Sequence, residues 1–379
     1  MEFSFHNPTG IEFGKGKIKE IANLIPKDKK VLVVYGGGSI KNNGAYDQVV
    51  EALSGHEWLE FGGVEPNPTV ETMNKAVELV KAEGVNYILA VGGGSVIDGS
   101  KYLAAASLYD GDGWDFLDGT AEVQEALPLA VVLTLAATGS ESNNLTVVSR
   151  KTTDEKRMYF SDHSYPQFAV LDPSFMGTLS DRQLGNGLVD AFVHISEQYL
   201  TKTNDLLVND GYAETLYKGL VTLAERWSER RTLWWQENLM HICNQALNFQ
   251  LANGVCQDWS THIIGHELTA FYGLDHARSL AVILPHLIRE MIDEKQDKLA
   301  QFGKNVFGIE NNNEAIIEKI EEVFESVGVP TKLTAYEIDD KVVENVHSAF
   351  KSHGYTEIGE NGTVTLDKVE KIINRSIAA

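Results

Sequence analysis

Apolar positions in the first 180 residues follow two alternating patterns. Short apolar runs lie within residues 30–39, 85–109, 128–143 and 166–174, and the first three run into glycines or small polar residues. Residues 69–84 instead show apolar positions at helical spacing, followed by a glycine. Buried strands that alternate with helices are typical of a parallel sheet covered on both faces. We therefore expect an α/β fold in this half of the chain.

The pattern changes after residue 180. Apolar positions then recur at helical spacing nearly to the end of the chain, for example over residues 181–200, 214–230 and 313–328, and no strand is predicted there. Ser180 or Asp181 could cap the first of these helices. We predict two domains: an α/β dinucleotide-binding domain over residues 1–180 and an all-helical metal-binding domain over residues 181–379.

Composition and charge narrow the functional classes. The chain carries 54 acidic and 32 basic residues, a net charge of −22, which argues against nucleic acid or an anionic membrane as a partner. The two cysteines do not suggest a disulfide framework, the first residues do not resemble a signal peptide, and the apolar runs are short for a membrane span. A cytoplasmic protein acting on a small molecule is the expectation.

Three glycine-rich or small-residue turns follow predicted strands. Gly92, Gly93 and Gly94 lie between a strand and a helix, and Ser95 and Asp98 open that helix. Glycines let backbone N–H groups approach a phosphate, and the positive end of a helix dipole favours one. An ordinary strand-to-helix turn would look similar, and the usual GxGxxG spacing is absent. The context favours a pyrophosphate site.

The earlier glycine run, residues 36–38, is followed by Ser39 and Lys41. Sites that select NAD usually hold the adenosine ribose with an acidic residue at a strand end. No carboxylate lies between Val31 and Ala45. A hydroxyl and a cation suit a 2′-phosphate better, so this turn favours NADP, with NAD left open. The third turn, residues 134–143, offers hydroxyl and backbone donors at the end of another strand.

The helical half contains a candidate metal site. Asp190 and His194 are four positions apart, as are His262 and His266, so each pair shares a helix face. The second helix should break near Gly273, with His276 in the following turn. Such pairs also occur in helices that bind no metal. Together, however, a carboxylate and several imidazoles are the ligands of a divalent transition metal.

These segments resemble the group III, or iron-containing, alcohol dehydrogenases, and within them the bacterial NADP-dependent aldehyde reductases and butanol dehydrogenases. The resemblance covers essentially the whole chain. Its motifs are FGKGKI, YGGGSIK, FGGVEPNP, AVGGGSVIDGSK, LTLAATGSES, AVLDP, NGLVDAFVH and THIIGHELTAFYGLDHARSLAVILP. It implies a dinucleotide-binding α/β domain followed by an all-helical domain, an architecture shared with dehydroquinate synthases, and a homodimer or larger assembly.

The resemblance also implies roles for single residues. The metal ligands would be Asp190, His194, His262 and His276, and His266 would lie near the nicotinamide without binding the metal. The adenosine end and its 2′-phosphate would meet Gly37, Gly38 and Ser39. The pyrophosphate and ribose would meet Gly93, Gly94, Ser95 and Asp98. Further cofactor contacts would come from Thr134, Thr138, Asn143 and Lys156.

The expected activity is metal-dependent, NADP-linked interconversion of primary alcohols and aldehydes, such as butanol and butanal. Three imidazoles and a carboxylate suit Fe(II), and also Zn(II), Mn(II) or Ni(II). Four protein ligands would close a tetrahedral zinc site, which favours iron. The alternatives are a dehydroquinate synthase-like lyase, for which Arg278 is the main cation near the site, a metal hydrolase, and a binding module with a structural metal. Trp259, Phe271 and Tyr272 are candidates to line a substrate pocket or to belong to the core.

Overall fold

The computed structural model describes residues 2–202 and 206–377. The strands are β1 Gly10–Phe13, β2 Lys30–Tyr35, β3 Glu57–Phe61, β4 Tyr87–Gly92, β5 Leu129–Leu133, β6 Leu145–Arg150, β7 Glu155–Phe160, β8 Phe168–Leu171, β9 Glu357–Ile358 and β10 Val364–Thr365. The helices are α1 Ile21–Leu24, α2 Ala45–Ala52, α3 Val70–Glu83, α4 Gly94–Ala106, α5 Asp115–Asp118, α6 Asp181–Tyr199, α7 Leu207–Glu225, α8 Leu233–Ala246, α9 Ser260–Tyr272, α10 His276–Glu290, α11 Ile292–Phe302, α12 Asn313–Ser326, α13 Lys341–His353 and α14 Leu366–Ile377.

Six strands form the predicted parallel sheet, in the order β1-β8-β5-β4-β2-β3. β2, β4, β5 and β8 are buried almost throughout, because neighbouring strands flank them and helices cover them. From β2 the chain moves outward to β3 and then returns to place β4 on the other side of β2. This reversal is a topological switch point, where open α/β sheets bind ligands beyond the carboxyl ends of their strands.

An antiparallel hairpin, β6 and β7, was not predicted. It leaves the main sheet after β5 and returns the chain to β8. Its first strand also makes a parallel bridge between Ser149 and Thr69, the residue that caps α3. The hairpin therefore ties the segment after β5 to the start of α3, on the same side of the sheet edge as the glycine turns.

The second half is helical from α6 to α14, as expected, with one correction. β9 and β10 pair as a short antiparallel hairpin around Gly359 and Gly362, both with positive φ. The prediction of an all-helical region was wrong here, because strands of two residues are too short to show alternation. Among the described residues, no helix is both long and apolar enough to cross a bilayer.

Contacts divide the chain into two compact units. One contains His6–Leu179 and Arg231–Asn244, and the other contains Met1–Phe5, Ser180–Arg230 and Gln245–Ala379. Most of α8 thus belongs with the sheet. Hydrogen bonds connect α8 to the segment after β5, because the Asn244 side chain donates at 2.8 Å to both Glu141 and Ser142. The boundary between residues 180 and 181 stays a prediction.

Two helical glycines offer a matched test of the helical unit. A Cβ on Gly185 in α6 would lie 2.4 Å from the carbonyl oxygen of Val327, whereas a Cβ on Gly211 in α7 would meet nothing within 4 Å. We expect Gly185→Ala to lower the free energy of unfolding by about 1–3 kcal/mol through overpacking. Gly211→Ala should raise it by about 0.5–1 kcal/mol, because alanine restricts the unfolded chain. Urea denaturation measures both, and an unchanged stability of Gly185→Ala would contradict this close approach.

Candidate active site

Helix α6 carries the first two candidate ligands. It begins after Ser180, whose hydroxyl accepts the N–H of Gln183 while the Gln183 side chain accepts the N–H of Ser180. This capping box satisfies backbone groups that the first helical turn would leave without partners. Two turns further on, Asp190 and His194 lie on one face, and each is 2% exposed. Helical spacing alone therefore brings the carboxylate and the first imidazole together.

The four predicted ligands converge. Asp190, His194, His262 and His276 each offer one ligand atom, and these atoms all lie within 4.8 Å of one another. An Asp190 oxygen is 3.9 Å from Nδ1 of His194 and another is 3.7 Å from Nε2 of His276. The rings of His194 and His262 are stacked, with centroids 4.8 Å apart. His276 is the most exposed of the four side chains, so the cluster opens on that side.

His276 differs from expectation in its place. α9 ends at Tyr272, and Gly273 has the positive φ predicted for the break. His276 was predicted in the turn, but it is the first residue of α10. The reason is that Asp275 caps α10: its carbonyl oxygen accepts the N–H groups of Arg278 and Ser279. The Asp275 side chain also binds Arg182 and Asn186 of α6, which fixes His276 beside Asp190.

Gly265 lets α9 and α10 come close. A Cβ at this position would lie 2.9 Å from a methyl carbon of Leu280 and 3.1 Å from the Ser279 hydroxyl. A larger residue would push the two helices apart. The ring centroids of His262 and His276, one on each helix, are 5.1 Å apart. The absence of a side chain at Gly265 therefore allows the imidazoles of His262 and His276 to lie close together.

A further carboxylate, Glu197, was not predicted. It lies on α6 one turn beyond His194, is buried, and contacts Nδ1 of His262. Burial raises the pKa of Glu197 well above its usual value, the neighbouring Asp258 carboxylate adds to this, and the N–H groups of Thr261 and His262 oppose it. A glutamate three positions after a helical histidine has no distinctive signal in a single sequence.

The chemistry of the cluster fits a divalent metal. Burial, with a smaller effect from His262, holds the pKa of His194 well below its usual range, so that imidazole stays neutral and keeps a lone pair for a ligand. Nδ1 of His194 is buried and makes no hydrogen bond within the described residues. One carboxylate and three imidazoles are the donors that Fe(II), Zn(II) and similar ions take.

Of four further residues predicted near the metal ligands, His266 and Trp259 have ring contacts with the histidines of the cluster. His266 is half-buried, with its ring centroid 5.4 Å from that of His276 and 6.1 Å from that of His262. Trp259 packs edge-on to His262 at 5.1 Å. Tyr272 instead packs against an apolar core and accepts a hydrogen bond from Asn345. Phe271 is 44% exposed. Of the three aromatic candidates, Trp259 is the one for which the described residues show edge-on ring contacts with His194 and His262.

The first two glycine turns lie side by side. They follow β2 and β4, the neighbouring strands at the switch point, and Tyr35 is paired with Val91 at their carboxyl ends. Gly37 and Ser39 are exposed, and Gly38 has a φ of 93°, a conformation that favours glycine. Gly93 caps α4, whose N-terminus carries Gly94 and Ser95. Backbone donors of both turns therefore lie at the same edge of the sheet.

A carboxylate from another strand reaches the first turn. Glu60 of β3 lies 3.3 Å from the ammonium of Lys41 and accepts a 2.7 Å hydrogen bond from Tyr46. These two partners hold the pKa of Glu60 below its usual range, Tyr46 having the larger effect. The absence of acidic residues from positions 31–45 hence does not mean that no carboxylate is near. Sequence reasoning missed Glu60 because its proximity depends on strand pairing.

The third turn packs closely on the second. A Cβ on Gly94 would lie 2.5 Å from the hydroxyl of Thr138, so glycine is required for this approach. The Ser140 hydroxyl donates to Asp98 of α4 at 2.6 Å, and burial raises the pKa of Asp98 to about 6. Thr134 is buried where β5 ends. Five of the predicted cofactor residues, Gly93, Gly94, Asp98, Thr134 and Thr138, thus belong to two turns that pack together.

Two lysines brace this region. Lys101 is fully buried and donates to Ser140, Asn143 and the carbonyl oxygen of Leu145 at 2.8–2.9 Å. Burial lowers its pKa to about 8, although Asp98 opposes the shift.

Lys156, from β7, donates to the side chain of Asn67 at 3.0 Å. Asn67 has a positive φ of 55°, and its N–H donates to Ser95. Lys101 and Asn67 were not predicted.

Comparison with known proteins agrees with this arrangement. Residues 8–173 match the family model "Iron-containing alcohol dehydrogenase", and residues 186–377 match "Fe-containing alcohol dehydrogenase family, C-terminal". The chain is 46% identical over 382 residues to the NADPH-dependent aldehyde reductase YqhD of Escherichia coli, with 98% of each chain covered. It is 36% identical to the NADH-dependent butanol dehydrogenase A of Clostridium acetobutylicum, over 99% of this chain and 100% of that protein. The crystal structure of NADH-dependent butanol dehydrogenase A from Thermotoga maritima superposes with a TM-score of 0.94 at 35% identity, covering 100% of this chain and 99% of that one. The protein belongs to the iron-containing alcohol dehydrogenases.

Proposed function

We propose that this alcohol dehydrogenase interconverts primary alcohols and aldehydes with NADP as its preferred cofactor and Fe(II) as its metal. The observation that carries the proposal is the convergence of Asp190, His194, His262 and His276 to within 4.8 Å. A bound divalent ion would supply Lewis acidity to a carbonyl oxygen, and the reduced cofactor would supply hydride. Four protein ligands favour iron over a tetrahedral zinc, and zinc remains the alternative.

The side chains around the cluster have separate tasks in this proposal. The four candidate ligands would hold a divalent ion at a mostly buried place from which most water is excluded. His266 is half-buried beside His276, with the two ring centroids 5.4 Å apart, and histidine is the side chain that enzymes use most often for proton transfer. It is our candidate to deliver the proton to the alkoxide oxygen, with water or a ribose hydroxyl as other routes. In this proposal His266 lies near the nicotinamide and the substrate without binding the metal.

The proposed cofactor site consists of the turns at the switch point. The relatives are named for either NADPH or NADH, so family membership alone does not choose between them. Two observations favour NADP. Ser39 is exposed with Lys41 two residues on, and Glu60, the nearby acidic group, is already paired with Lys41 and Tyr46. The residues proposed to contact the cofactor are Gly37, Gly38, Ser39, Gly93, Gly94, Ser95, Asp98, Thr134, Thr138, Asn143 and Lys156.

The substrate is proposed to be a short or medium aliphatic aldehyde. Trp259 lies beside His194 and His262 and offers an apolar surface next to the metal ligands. A lyase of the dehydroquinate synthase type would need free cations for phosphate and carboxylate groups. Arg278, its main candidate, donates to Asn186 and to the carbonyl oxygen of Gly328, so it is occupied in holding helices together. We therefore favour the dehydrogenase.

The test begins with protein stripped of metal by a chelator and assayed without oxygen for oxidation of NADPH by butanal. We expect activity to return with Fe(II), and to decline in air as the iron oxidises. His262→Ala should bind metal poorly and lose at least about 100-fold in kcat/KM, because a ligand is missing. Metal content and initial rates are the measurements.

His347→Ala provides the control, since His347 lies on α13 and pairs with Glu370 away from the metal cluster. It should keep the rate and metal content of the parent protein. Turnover that is independent of any added metal would contradict the proposal. If neither NADPH nor NADH supports the reduction of any aldehyde, the lyase would become the better interpretation.

Ser39→Asp tests the choice of cofactor. A carboxylate at this position would repel a 2′-phosphate and compete for Lys41, so kcat/KM for NADPH should fall relative to NADH by at least about 10-fold. Ser39→Asn is the control, because asparagine has nearly the same size as aspartate but no charge. It should change the ratio of kcat/KM for NADPH to that for NADH much less. Rates with both cofactors give the result. An unchanged ratio in Ser39→Asp would show that this turn does not select the cofactor.

We also propose that the chain acts as a homodimer. β1 lies at the edge of the sheet with Ile11 41% exposed, and exposed strand edges readily pair with another chain. Sedimentation equilibrium should give about twice the mass of one chain, and a monomer at assay concentrations would contradict this. The cytoplasmic location stays a prediction.

A further inference from the structure

Glu197 makes three contacts with the start of α9. One carboxylate oxygen accepts the N–H of Thr261 at 2.6 Å and that of His262 at 3.3 Å. The other oxygen meets Nδ1 of the His262 ring. The carboxylate is 3% exposed and belongs to α6, the helix that carries Asp190 and His194. A single side chain therefore connects the two helices that supply three of the four candidate ligands.

Glu197 has two structural roles, and the first is to cap α9. Trp259, the residue before the helix, provides no side-chain acceptor. Asp258 accepts the N–H of Ser260, and Glu197 accepts the next two. A negative charge at this position also interacts favourably with the positive end of the helix dipole. The rotation of α9 about its own axis, and with it the direction of the His262 side chain, is thereby set from α6.

The second role concerns the ring. An imidazole binds a metal through a nitrogen that carries no hydrogen, and the hydrogen then resides on the other nitrogen. An ionised Glu197 has no hydrogen to donate, so its contact with Nδ1 places the hydrogen of the ring on that nitrogen. Nε2, on the opposite edge of the ring, is then the nitrogen for the metal. Carboxylates that hold a ligating histidine in this way commonly change metal affinity by one to two orders of magnitude.

We propose that Glu197 is a positioning residue that fixes both the orientation and the tautomer of His262 for metal binding. The inference rests on the proposed function, since it takes Asp190, His194, His262 and His276 as metal ligands. Glu197 does not reach the metal in this assignment; it acts through His262. Its charge, together with that of Asp190, would also balance the two positive charges of a divalent ion.

Glutamine is the informative replacement because it has the same shape but only one acceptor. If its oxygen stays on the N–H groups of Thr261 and His262, its NH2 group faces Nδ1 and favours the tautomer with hydrogen on Nε2, which cannot bind metal. If the amide is reversed, its NH2 group faces two backbone N–H donors. Either arrangement costs the metal site one of the interactions that Glu197 provides.

The experiment titrates Co(II) into metal-free full-length protein and follows the visible absorption of the bound ion, with a competing chelator to set the affinity. Glu197→Gln should bind Co(II) about 10- to 100-fold more weakly than the parent protein. Glu267→Gln is the matched control, since Glu267 is a buried carboxylate on α9 that pairs with His353 of α13 at 3.0 Å. This variant should bind Co(II) within about twofold of the parent protein, because His353, the partner of Glu267, is not one of the candidate ligands.

The outcomes separate this inference from the proposed function. Parent protein that does not bind Co(II) would overturn the metal site itself. Parent and Glu197→Gln proteins that bind equally well, with the same absorption spectrum, would overturn the role of Glu197 alone. If Glu197→Gln does not fold, Glu197→Asp decides. It keeps both acceptors but is one methylene shorter, so it should not reach the backbone N–H groups and Nδ1 of His262 together, and Co(II) binding should weaken. Unaltered binding would contradict the proposal.

Discussion

The helical unit must offset the free-energy cost of burying four candidate metal ligands together. A carboxylate and imidazoles that leave water lose hydration, and this loss must be offset by partners or by an ion. The helical unit meets this constraint with rigid elements. α6 is 19 residues long and presents Asp190 and His194 from its middle, where fraying does not reach. Glu197 of the same helix then holds His262, and Asp275, which binds Arg182 and Asn186 of that helix, holds His276 beside Asp190. Binding of an ion would stabilise this unit, since the unfolded chain has no comparable site.

Much of the candidate metal site follows from local sequence, because helical spacing relates Asp190 to His194 and a glycine break separates His262 from His276. The contributions that could not be read from the sequence are those made across the fold. Glu197 and Asp275 act on residues that are 65 and 89 or more positions away, and a single sequence does not reveal such pairs. The position of His276 at the start of α10 depended on the same tertiary contacts.

The α/β half shows the same limit to prediction from sequence. Apolar runs and glycines predicted the parallel sheet and its turns, because the central strands β2, β4 and β5 are buried on both faces. The interpretation of the first turn considered only nearby residues and therefore missed Glu60, which strand pairing brings beside Lys41. The hairpins β6–β7 and β9–β10 were also missed. Their strands are half-exposed or only two residues long, so neither an apolar run nor a clear alternation marks them.

The order of the strands also has a consequence for synthesis on the ribosome. β1, near the start of the chain, pairs with β8, which is made roughly 155 residues later. At about 5–20 residues per second, this edge of the sheet waits on the order of 8–30 s for its partner. β5 likewise finds β8 only after the β6–β7 hairpin has emerged. During that interval apolar strands with open edges are available to other nascent chains, so the fold has a defined period of vulnerability to aggregation before β8 completes the sheet.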